Sequence, residues 1–381
     1  MIGMSAVIFI PDDTAKTGYP QPLMLQSVMG APLLAWLANA LFDSGVGRFF
    51  LVCHDRYVEA ARACLPAEAE VMTTMDSDPA DLLHVFLSTA EDAEHTITVV
   101  TGPAVYLPQL APQAAGRFPR VYGVSREELM QALDEHFSFA RFLLDNGSPM
   151  NEEQAMYSVA SPAELPEIAG LLQRNRLLAL ARTGVEIYDA SSCYVEPSVR
   201  VAPGARLLPG TMLGEEAVIG PWSVVDDSVI GARAVVNASQ VRESRVGQDA
   251  VVGPYASVRG GCELGRSVRA GSFVELKNAR LGENTQVPHL AYLGDTEAGA
   301  NCNFGCGVTT ANFDRVQKHE TVVGEGAFIG CNTALIAPLQ VGSGAYIGAG
   351  STITEDVPAQ ALGIARARQS NKKEWAAKHK K

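Results

Sequence analysis

Residues 195–225 read VEPSVRVAPGARLLPGTMLGEEAVIGPWSVV, and an aliphatic side chain recurs in this stretch at every sixth position. A second series with the same period runs from Val323 to Ile353. A helix would need a period of about 3.6 residues and a strand a period of about 2, so the pattern indicates neither. It is typical of a hexapeptide β-helix, in which each unit forms one short strand and one turn. Stacked coils pair their backbone groups and bury the aliphatic positions, so we predict a left-handed parallel β-helix for residues 187–360.

Residues 1–186 follow a different pattern, in which short apolar runs alternate with helical segments. Residues 5–10 and 96–100 have the continuous apolar character of buried strands, whereas residues 29–44 carry apolar side chains at helical spacing. Alternating strands and helices predict a parallel sheet that is covered by helices. We therefore expect this part of the chain to form a Rossmann-like α/β domain that ends in a helical connector.

The composition excludes several classes of protein. Of the 381 residues, 47% are hydrophobic and 19% are charged, which fits a packed core and argues against global disorder. The net charge of -12 disfavours nucleic acid and anionic membranes as partners, because both require a basic surface. The seven cysteines form no CxxC pair, which favours a reducing compartment, and we predict a cytoplasmic protein. The apolar start of the chain is too short to cross a bilayer and has no basic lead, so we expect no membrane span or export signal.

Residues 270–321 interrupt the six-residue repeat, and a regular β-helix has no structural need for such an interruption. The interrupting sequence is rich in imidazole, ammonium, phenol and amide groups. Its motifs are FVELKNA at 273–279, HLAYLGD at 289–295, NFGCG at 303–307 and NFDRVQK at 312–318, with GPYASVR upstream at 253–259. We therefore place the candidate site in this part of the chain.

These motifs, in this order, resemble the C-terminal half of the bifunctional N-acetylglucosamine-1-phosphate uridyltransferase/glucosamine-1-phosphate acetyltransferase family. The resemblance extends over about residues 170–375. It implies a homotrimeric β-helix enzyme that transfers an acetyl group from acetyl-CoA to the amine of glucosamine-1-phosphate, a small-molecule amino-sugar phosphate. That reaction belongs to UDP-N-acetylglucosamine biosynthesis, which supplies cell wall biogenesis. The order of the domains also implies a nucleotidyltransferase-type fold for the first of them.

The resemblance assigns a role to the polar positions of the motifs. His289 matches the catalytic base, and an imidazole that titrates near neutral pH suits the removal of a proton from an attacking amine. The cations that match phosphate-binding positions are Arg259, Lys277 and Lys318. Such groups bind phosphate oxygens with charge-assisted hydrogen bonds. The positions that match sugar contacts, where phenol and amide groups offer directional partners for hydroxyls, are Tyr292, Asn303 and Asn312.

The resemblance implies acetyl-CoA as the acyl donor, and we expect no metal ion. The positions that match the family's donor contacts are Cys306, Cys331, Ala349 and Arg366. Both cysteines stand where the family has other small residues, and we interpret them as small buried side chains rather than nucleophiles. Backbone N–H groups of residues 305–307 would stabilise the oxyanion of the transition state. Residues 361–381 carry seven basic side chains and one acidic one, so we predict a basic C-terminal tail that binds the phosphates of coenzyme A.

The first domain has the position of a uridyltransferase domain but lacks its chemistry. In the family, a glycine-rich turn after the first strand binds nucleotide phosphates through backbone amides. Here the first predicted strand is followed by Pro11, Asp12 and Asp13, and the two carboxylates would repel an anion. The family's metal-binding aspartate and asparagine also have no counterpart in residues 101–104 and 158–161. We therefore predict that uridyl transfer has been lost.

Two alternative functions fit the same residues. The chain could be a non-catalytic scaffold that binds a sugar nucleotide or acetyl-CoA, or an acyltransferase for another amino sugar. Phe313 and Arg315 bear on the second alternative, because many members of the family have a phenol at the former position and the family has glycine at the latter.

Overall fold

The computed structural model describes residues 4–74, 79–89, 95–110, 120–134, 139–150 and 155–379. The chain divides into two compact units, the first comprising residues 1–200 and 213–216 and the second residues 201–212 and 217–381. Within the described residues, no helix is long and apolar enough to cross a bilayer. Lys380 and Lys381, which belong to the predicted basic tail, lie outside the described residues.

Strands and helices alternate along the first unit. Its strands are β1 (Ser5–Phe9), β2 (Ser27–Val28), β3 (Ala31–Pro32), β4 (Arg48–Val52), β5 (Glu70–Thr74), β6 (Thr96–Val100), β7 (Ala104–Tyr106), β8 (Val121–Ser125), β9 (Ser148–Met150), β10 (Met156–Ser158), β11 (Glu186–Ile187) and β12 (Tyr194–Val195). Its helices are α1 (Thr14–Thr17), α2 (Leu33–Phe42), α3 (Val58–Arg62), α4 (Ala80–Ser88), α5 (Arg126–Asp134), α6 (Phe139–Asn146) and α7 (Leu165–Arg182). Short 3-10 turns lie at Leu23–Leu25, Asp55–Tyr57 and Pro162–Glu164.

A six-stranded sheet forms the centre of the first unit, with the strand order β5-β4-β1-β6-β8-β9. Strands β5, β4, β1 and β6 are parallel, and β8 and β9 extend the sheet by antiparallel pairing. Alternate residues of β1 face opposite sides, because Ala6 and Ile8 pack with α2 whereas Val7 packs with α4, α5 and α6. The α/β fold predicted from the alternating pattern is thereby confirmed.

The second unit is built almost wholly from short strands. The remaining elements of the chain are β13 (Arg200–Val201), β14 (Arg206–Leu207), β15 (Met212–Leu213), β16 (Val218–Ile219), β17 (Val224–Asp226), β18 (Val229–Ile230), β19 (Val235–Val236), β20 (Gln240–Arg242), β21 (Arg245–Val246), β22 (Val251–Val252), β23 (Ser257–Arg259), β24 (Glu263–Leu264), β25 (Arg269–Leu281), β26 (Gln286–Ala298), β27 (Asn303–Phe304), β28 (Thr309–Ala311), β29 (Thr321–Val323), β30 (Phe328–Ile329), β31 (Ala334–Ile336), β32 (Leu339–Val341), β33 (Tyr346–Ile347), β34 (Thr352–Ile353), β35 (Leu362–Gly363) and α8 (Trp375–Lys378).

Parallel pairing of strands three places apart gives the second unit three faces. On one face Arg206 of β14 pairs with Val224, and Val224 pairs in turn with Gln240, so the second of these coils is shorter than the first. On the next face Ile219 pairs with Val236, and both side chains are fully buried. The aliphatic series therefore slips in phase where a coil is shortened at its corners, while its side chains still point inward. The predicted parallel β-helix is confirmed.

The interruption of the repeat is confined to one hairpin. Strands β25 and β26 run for 13 residues each and stay in register, with Arg269 opposite Gln286. The following coil is longer, because Thr296 pairs with Thr321 and the chain between them includes residues 312–320. The sequence predicted an interruption over the whole motif-bearing segment. In the structure the coils stack without a break there, and only residues 312–320 leave the β-helix.

Gly271 lies where two coils approach closely, and we expect the substitution Gly271→Ala to lower the melting temperature. A Cβ atom built on Gly271 would collide with the backbone oxygen of Pro288 and lie 2.7 Å from its carbonyl carbon. The backbone of Pro288 is held in the stack and cannot move away, so the overpacking should lower the free energy of unfolding by about 1–3 kcal/mol. Each kcal/mol lowers the melting temperature by about 2–4 °C.

The matched control is Gly348→Ala in the same unit. Its Cβ atom would meet the flexible side chain of Ile364 at 3.0 Å and no backbone atom closer than 3.6 Å. Thermal unfolding followed by circular dichroism compares the two variants. Equal melting temperatures would contradict the close approach at Gly271.

Candidate functional site

The three cations predicted to bind phosphate lie together on one face of the β-helix. Arg259 at the end of β23 pairs in register with Lys277 of β25, and Lys318 contacts Lys277. The Lys318 ammonium lowers the pKa of Lys277, the Arg259 guanidinium acts in the same direction, and the Asp295 carboxylate opposes them. We call Arg259, Lys277 and Lys318 the cation cluster. The cluster carries three positive charges against the two carboxylates that border it, and this excess of positive charge favours the binding of an anion.

Two carboxylates border the cation cluster. Glu275 forms an ion pair with Arg259. Asp295 accepts a hydrogen bond from Asn278 Nδ2 at 2.6 Å and a second one from Asn312 Nδ2. The Asp295 carboxylate therefore fixes the amide of Asn312 beside the cluster and fixes its orientation.

Gly294 makes room for two side chains that were predicted to bind a sugar. It pairs with Lys277 in the register of β25 and β26. A Cβ atom at Gly294 would collide with the hydroxyl of Tyr292 and lie 2.8 Å from the amide nitrogen of Asn312. A phenol and an amide therefore meet beside Lys277, where they offer directional partners for a hydroxylated ligand.

A hairpin between β28 and β29 carries Lys318 to the cluster. One carboxylate oxygen of Asp314 accepts hydrogen bonds from the N–H groups of Val316 and Gln317, both at 2.7 Å. The other oxygen lies 2.8 Å from His319 Nε2. These hydrogen bonds, with that from Gln317 the largest contribution, hold the pKa of the Asp314 carboxyl well below its usual range. The carboxylate thus closes the hairpin and holds Lys318 in place.

Two residues of the hairpin depart from the family pattern. Arg315 has a φ of 80°, a left-handed conformation that favours glycine. The side chain of Phe313 is 61% exposed, so the hairpin presents an aromatic surface without a hydroxyl. Both side chains are therefore available at the outer side of the candidate site.

One corner of the β-helix carries predicted residues on successive coils. The register of the flanking strands sets His289 opposite Cys306. In the same way Cys306 lies opposite Cys331, and Cys331 lies opposite Ala349. Arg366 follows, with its Cδ atom 3.8 Å from the position of a Cβ atom on Gly350. We call the column formed by His289, Cys306, Cys331 and Ala349 the donor edge, since three of its members match predicted donor contacts.

The structure corrects the expected burial of the two cysteines. Cys306 is half-buried and Cys331 is exposed, whereas both were expected to be buried. Each residue is the second of a corner turn, a position from which the side chain points away from the core. The sequence placed both residues in the correct segment but could not distinguish a corner from a strand.

Fewer backbone N–H groups than expected are available for an oxyanion at the donor edge. The N–H groups of Gly305 and Gly307 donate to carbonyls of neighbouring coils, at 2.8 and 2.7 Å. Within the described part of the chain, the N–H group of Cys306 has no such backbone partner. Of the three groups predicted to stabilise an oxyanion, only that of Cys306 is available.

Within the described residues, no recorded contact joins His289 or Asn303 to the cation cluster. The side chain of His289 is exposed at its corner, and Asn303 lies on the adjoining face, where it pairs with Gln286 and Phe328. Among residues 155–379, no hydrogen bond or ion pair joins either side chain to the cluster. The contacts of one chain therefore connect three cations, Tyr292 and Asn312, whereas the imidazole and the second amide make no direct contact with them.

In the first unit, the loop after β1 is closed by its own side chains. Asp12 forms an ion pair with Arg56 and accepts a hydrogen bond from Thr14 Oγ1 at 2.7 Å. Asp13 accepts a hydrogen bond from the N–H group of Leu23 at 2.9 Å. The two carboxylates thus hold the loop together. In the described ranges, no group of three or more histidine, cysteine, aspartate and glutamate side chains could hold a metal ion.

Three residues that orient Asn312 and Lys318 were not predicted from the sequence, namely Asp295, Asp314 and His319. The available signal was local, because Asp295 and Asp314 lie inside the HLAYLGD and NFDRVQK motifs. A carboxylate beside a predicted phosphate site is unfavourable on charge alone. That conflict indicates a structural role for the acid.

Comparisons with known proteins agree with the motifs. The family described as Bacterial transferase hexapeptide (six repeats) matches residues 320–355. The chain is 43% identical over 221 residues to the Bifunctional protein GlmU of Brevibacillus brevis, covering 56% of this chain and 48% of that protein. It is 45% identical over 213 residues to the Bifunctional protein GlmU of Staphylococcus haemolyticus, covering 54% of this chain and 47% of that protein. The solved structure of UDP-N-acetylglucosamine O-acyltransferase (LpxA) from Moraxella catarrhalis matches with a TM-score of 0.37 and 18% identity, over 49% of this chain and 78% of that chain.

The chain spans about half the length of the curated relatives it matches. Over that part, the resemblance that the motifs indicate is confirmed.

Proposed function

We propose that this protein is a glucosamine-1-phosphate N-acetyltransferase that uses acetyl-CoA and serves UDP-N-acetylglucosamine biosynthesis. The observation that carries the proposal is the cation cluster beside Tyr292 and Asn312, on a β-helix that also carries a donor edge. The identity of 43% and 45% to Bifunctional GlmU proteins over this part of the chain supports the same function.

Each group of the site has a role in this reaction. The cation cluster binds the phosphate of the acceptor, and Tyr292 and Asn312 bind its hydroxyl groups. His289 takes a proton from the amine as the amine nitrogen attacks the thioester carbonyl of the donor. The C–N bond forms, the C–S bond breaks, and the departing thiolate receives the proton. The N–H group of Cys306 donates to the oxyanion.

A homotrimer would complete the site. In such an assembly the donor edge and Asn303 of one chain would meet the cation cluster of its neighbour, and proximity and orientation would then supply much of the rate. The exposure of residues 364–379 fits a basic tail, including Arg366, that reaches the phosphates of coenzyme A. In this proposal residues 187–360 form the cytoplasmic acetyltransferase domain and residues 361–381 its tail.

We propose no uridyl transfer for the first unit. The loop after β1 is where the family binds nucleotide phosphates, and here Asp12 and Asp13 fill it with structural hydrogen bonds. A degenerate nucleotidyltransferase-like domain over residues 1–186 accounts for this loop and for the missing metal-binding residues.

Release of free coenzyme A thiol from acetyl-CoA tests the proposed function. With glucosamine-1-phosphate we expect thiol release and N-acetylglucosamine-1-phosphate as the product. Unphosphorylated glucosamine should react with a kcat/KM lower by about 10²-fold, because the cations lose their charge-assisted hydrogen bonds.

The same assay separates the alternatives. Binding of acetyl-CoA without thiol release would contradict the enzyme and favour a scaffold. Faster reaction with another amino sugar would contradict the assigned acceptor.

A further inference from the structure

Cys306 and Cys331 occupy the same position of two turns that stack on each other. Each follows a glycine, Gly305 or Gly330, at a corner of the β-helix, and the strands on both sides of the corner pair in register. The N–H group of Asn332, next to Cys331, donates to the carbonyl oxygen of Cys306 at 2.7 Å. Two thiols therefore lie on adjacent coils of one column with no residue between them.

The spacing of the two residues suits a covalent link. Adjacent parallel strands lie about 4.8 Å apart, and disulfides join residues whose Cα atoms are about 4.4–6.8 Å apart. A Cβ atom built on Gly305 would lie 2.9 Å from Cys331 Sγ, so the Cys331 thiol lies over Gly305, the residue that precedes Cys306. Because Gly305 has no side chain, nothing from that residue separates the Cys331 thiol from its neighbour.

Cys306 and Cys331 are also the two cysteines that are not buried. The remaining cysteines are buried, namely Cys53, Cys64, Cys193, Cys262 and Cys302. Cys331 is exposed and Cys306 is half-buried. Oxidants reach exposed thiols first, and an exposed thiol next to a second one forms a disulfide readily.

We propose that Cys306 and Cys331 form an oxidation site that closes the donor edge. Hydrogen peroxide oxidises the Cys331 thiol to a sulfenic acid and is reduced to water. The Cys306 sulfur then attacks the sulfenic sulfur, the S–S bond forms, and the hydroxyl leaves as a second water with the Cys306 proton. The overall reaction consumes two thiols and one peroxide and yields one disulfide and two waters.

The functional consequence of closure rests on the proposed function. The pair lies between His289 on one side and Ala349 on the other, in the column that the acyl donor would follow. A disulfide draws the two side chains together. Two free thiols can rotate away from a ligand, whereas the disulfide bridge between them is fixed. A small displacement of a reacting group costs about 10²-fold in rate.

The experiment treats the full-length protein with hydrogen peroxide and measures three quantities. We expect native thiol titration to lose two thiols per chain and the intact mass to fall by two hydrogen atoms. Trypsin cleaves after Arg315 and Lys318, which separate the two cysteines, so a disulfide appears as a linked pair of peptides. Acetyl transfer should fall by about 10²-fold and recover with dithiothreitol.

Two variants serve as controls, Cys306→Ala and Cys331→Ser. For each of them, the activity after peroxide treatment is divided by the activity of the same variant before treatment. In each variant the linked peptides should be absent and the reversible loss of activity should disappear. Peptide mapping needs no acetyltransferase activity, so it tests the link even where the proposed function fails. Sulfinic acid on Cys331 without linked peptides would overturn the proposal, and so would the same reversible inhibition in both variants.

Discussion

The variant His289→Ala is expected to lower kcat for acetyl transfer by about 10²–10⁴-fold, which is the contribution that a positioned general base makes. The fold should be unaffected, because the imidazole is exposed at a corner and forms no hydrogen bond or ion pair within the described residues 155–379. The KM values for both substrates should change little, since the group acts only as the amine attacks. Steady-state thiol release and the melting temperature check these expectations.

The matched control for this variant is Ser272→Ala. Ser272 lies opposite His289 in the register of β25 and β26, so the substitution alters the same corner one coil away. We expect its rate to stay within a few-fold of the unmodified protein, on the order of the small effects of partly exposed substitutions. A normal rate for His289→Ala would refute the assigned base, and an equal loss in both variants would point to damage at the corner.

The variant Lys277→Ala is expected to lower kcat/KM for glucosamine-1-phosphate by about 10–100-fold. A hydrogen bond to a charged group contributes about 1.5–3 kcal/mol, and Lys277 lies between the other two cations of the cluster. The loss should be much smaller with unphosphorylated glucosamine, because that acceptor makes no use of the cation. Measurement of kcat/KM for both acceptors therefore isolates the contribution of the phosphate.

Arg280→Ala provides the control for charge. Arg280 belongs to the same strand as Lys277 but pairs with Glu297 on another face of the β-helix. Its removal changes the net charge equally and should leave the preference for the phosphorylated acceptor unchanged. Equal losses for the two acceptors in Lys277→Ala would contradict a phosphate contact at this position.

The period of six predicted the β-helix, because a side chain that points inward on every coil must recur once per face. The corners were less visible in the sequence. Coils of different length both close, as the pairs that Val224 forms with Arg206 on one side and Gln240 on the other demonstrate. A coil shortened at a corner looks like an interruption of the repeat, which explains why the six-residue period is lost over residues 270–321 although only the hairpin at 312–320 leaves the β-helix.

The first unit illustrates a second limit of sequence patterns. Strand β7 has only three residues and pairs with β10, which is distant along the chain. A run of three residues is too short to reveal a period. Its stability comes from a partner that the local sequence does not contain.

The candidate site was predicted residue by residue, but its division between faces was not. Lys277, Tyr292 and Asn312 meet because Gly294 leaves a gap between them. Asn303 is close to them in the sequence and yet lies on another face, since a corner intervenes. Which side chains share a face depends on the length of each coil, and that length is fixed by stacking on the neighbours rather than by the motif itself.

The hairpin that leaves the β-helix after Ala311 and returns at Thr321 disturbs neither neighbour, since Thr309 still pairs with Ala334 and Thr321 with Leu339. It is an appendage on an intact scaffold, so its length and charge are not fixed by the register of the strands on either side. If the proposed function holds, changes in this loop would alter the choice of acceptor while the column of corners that is proposed to bind the acyl donor stays the same.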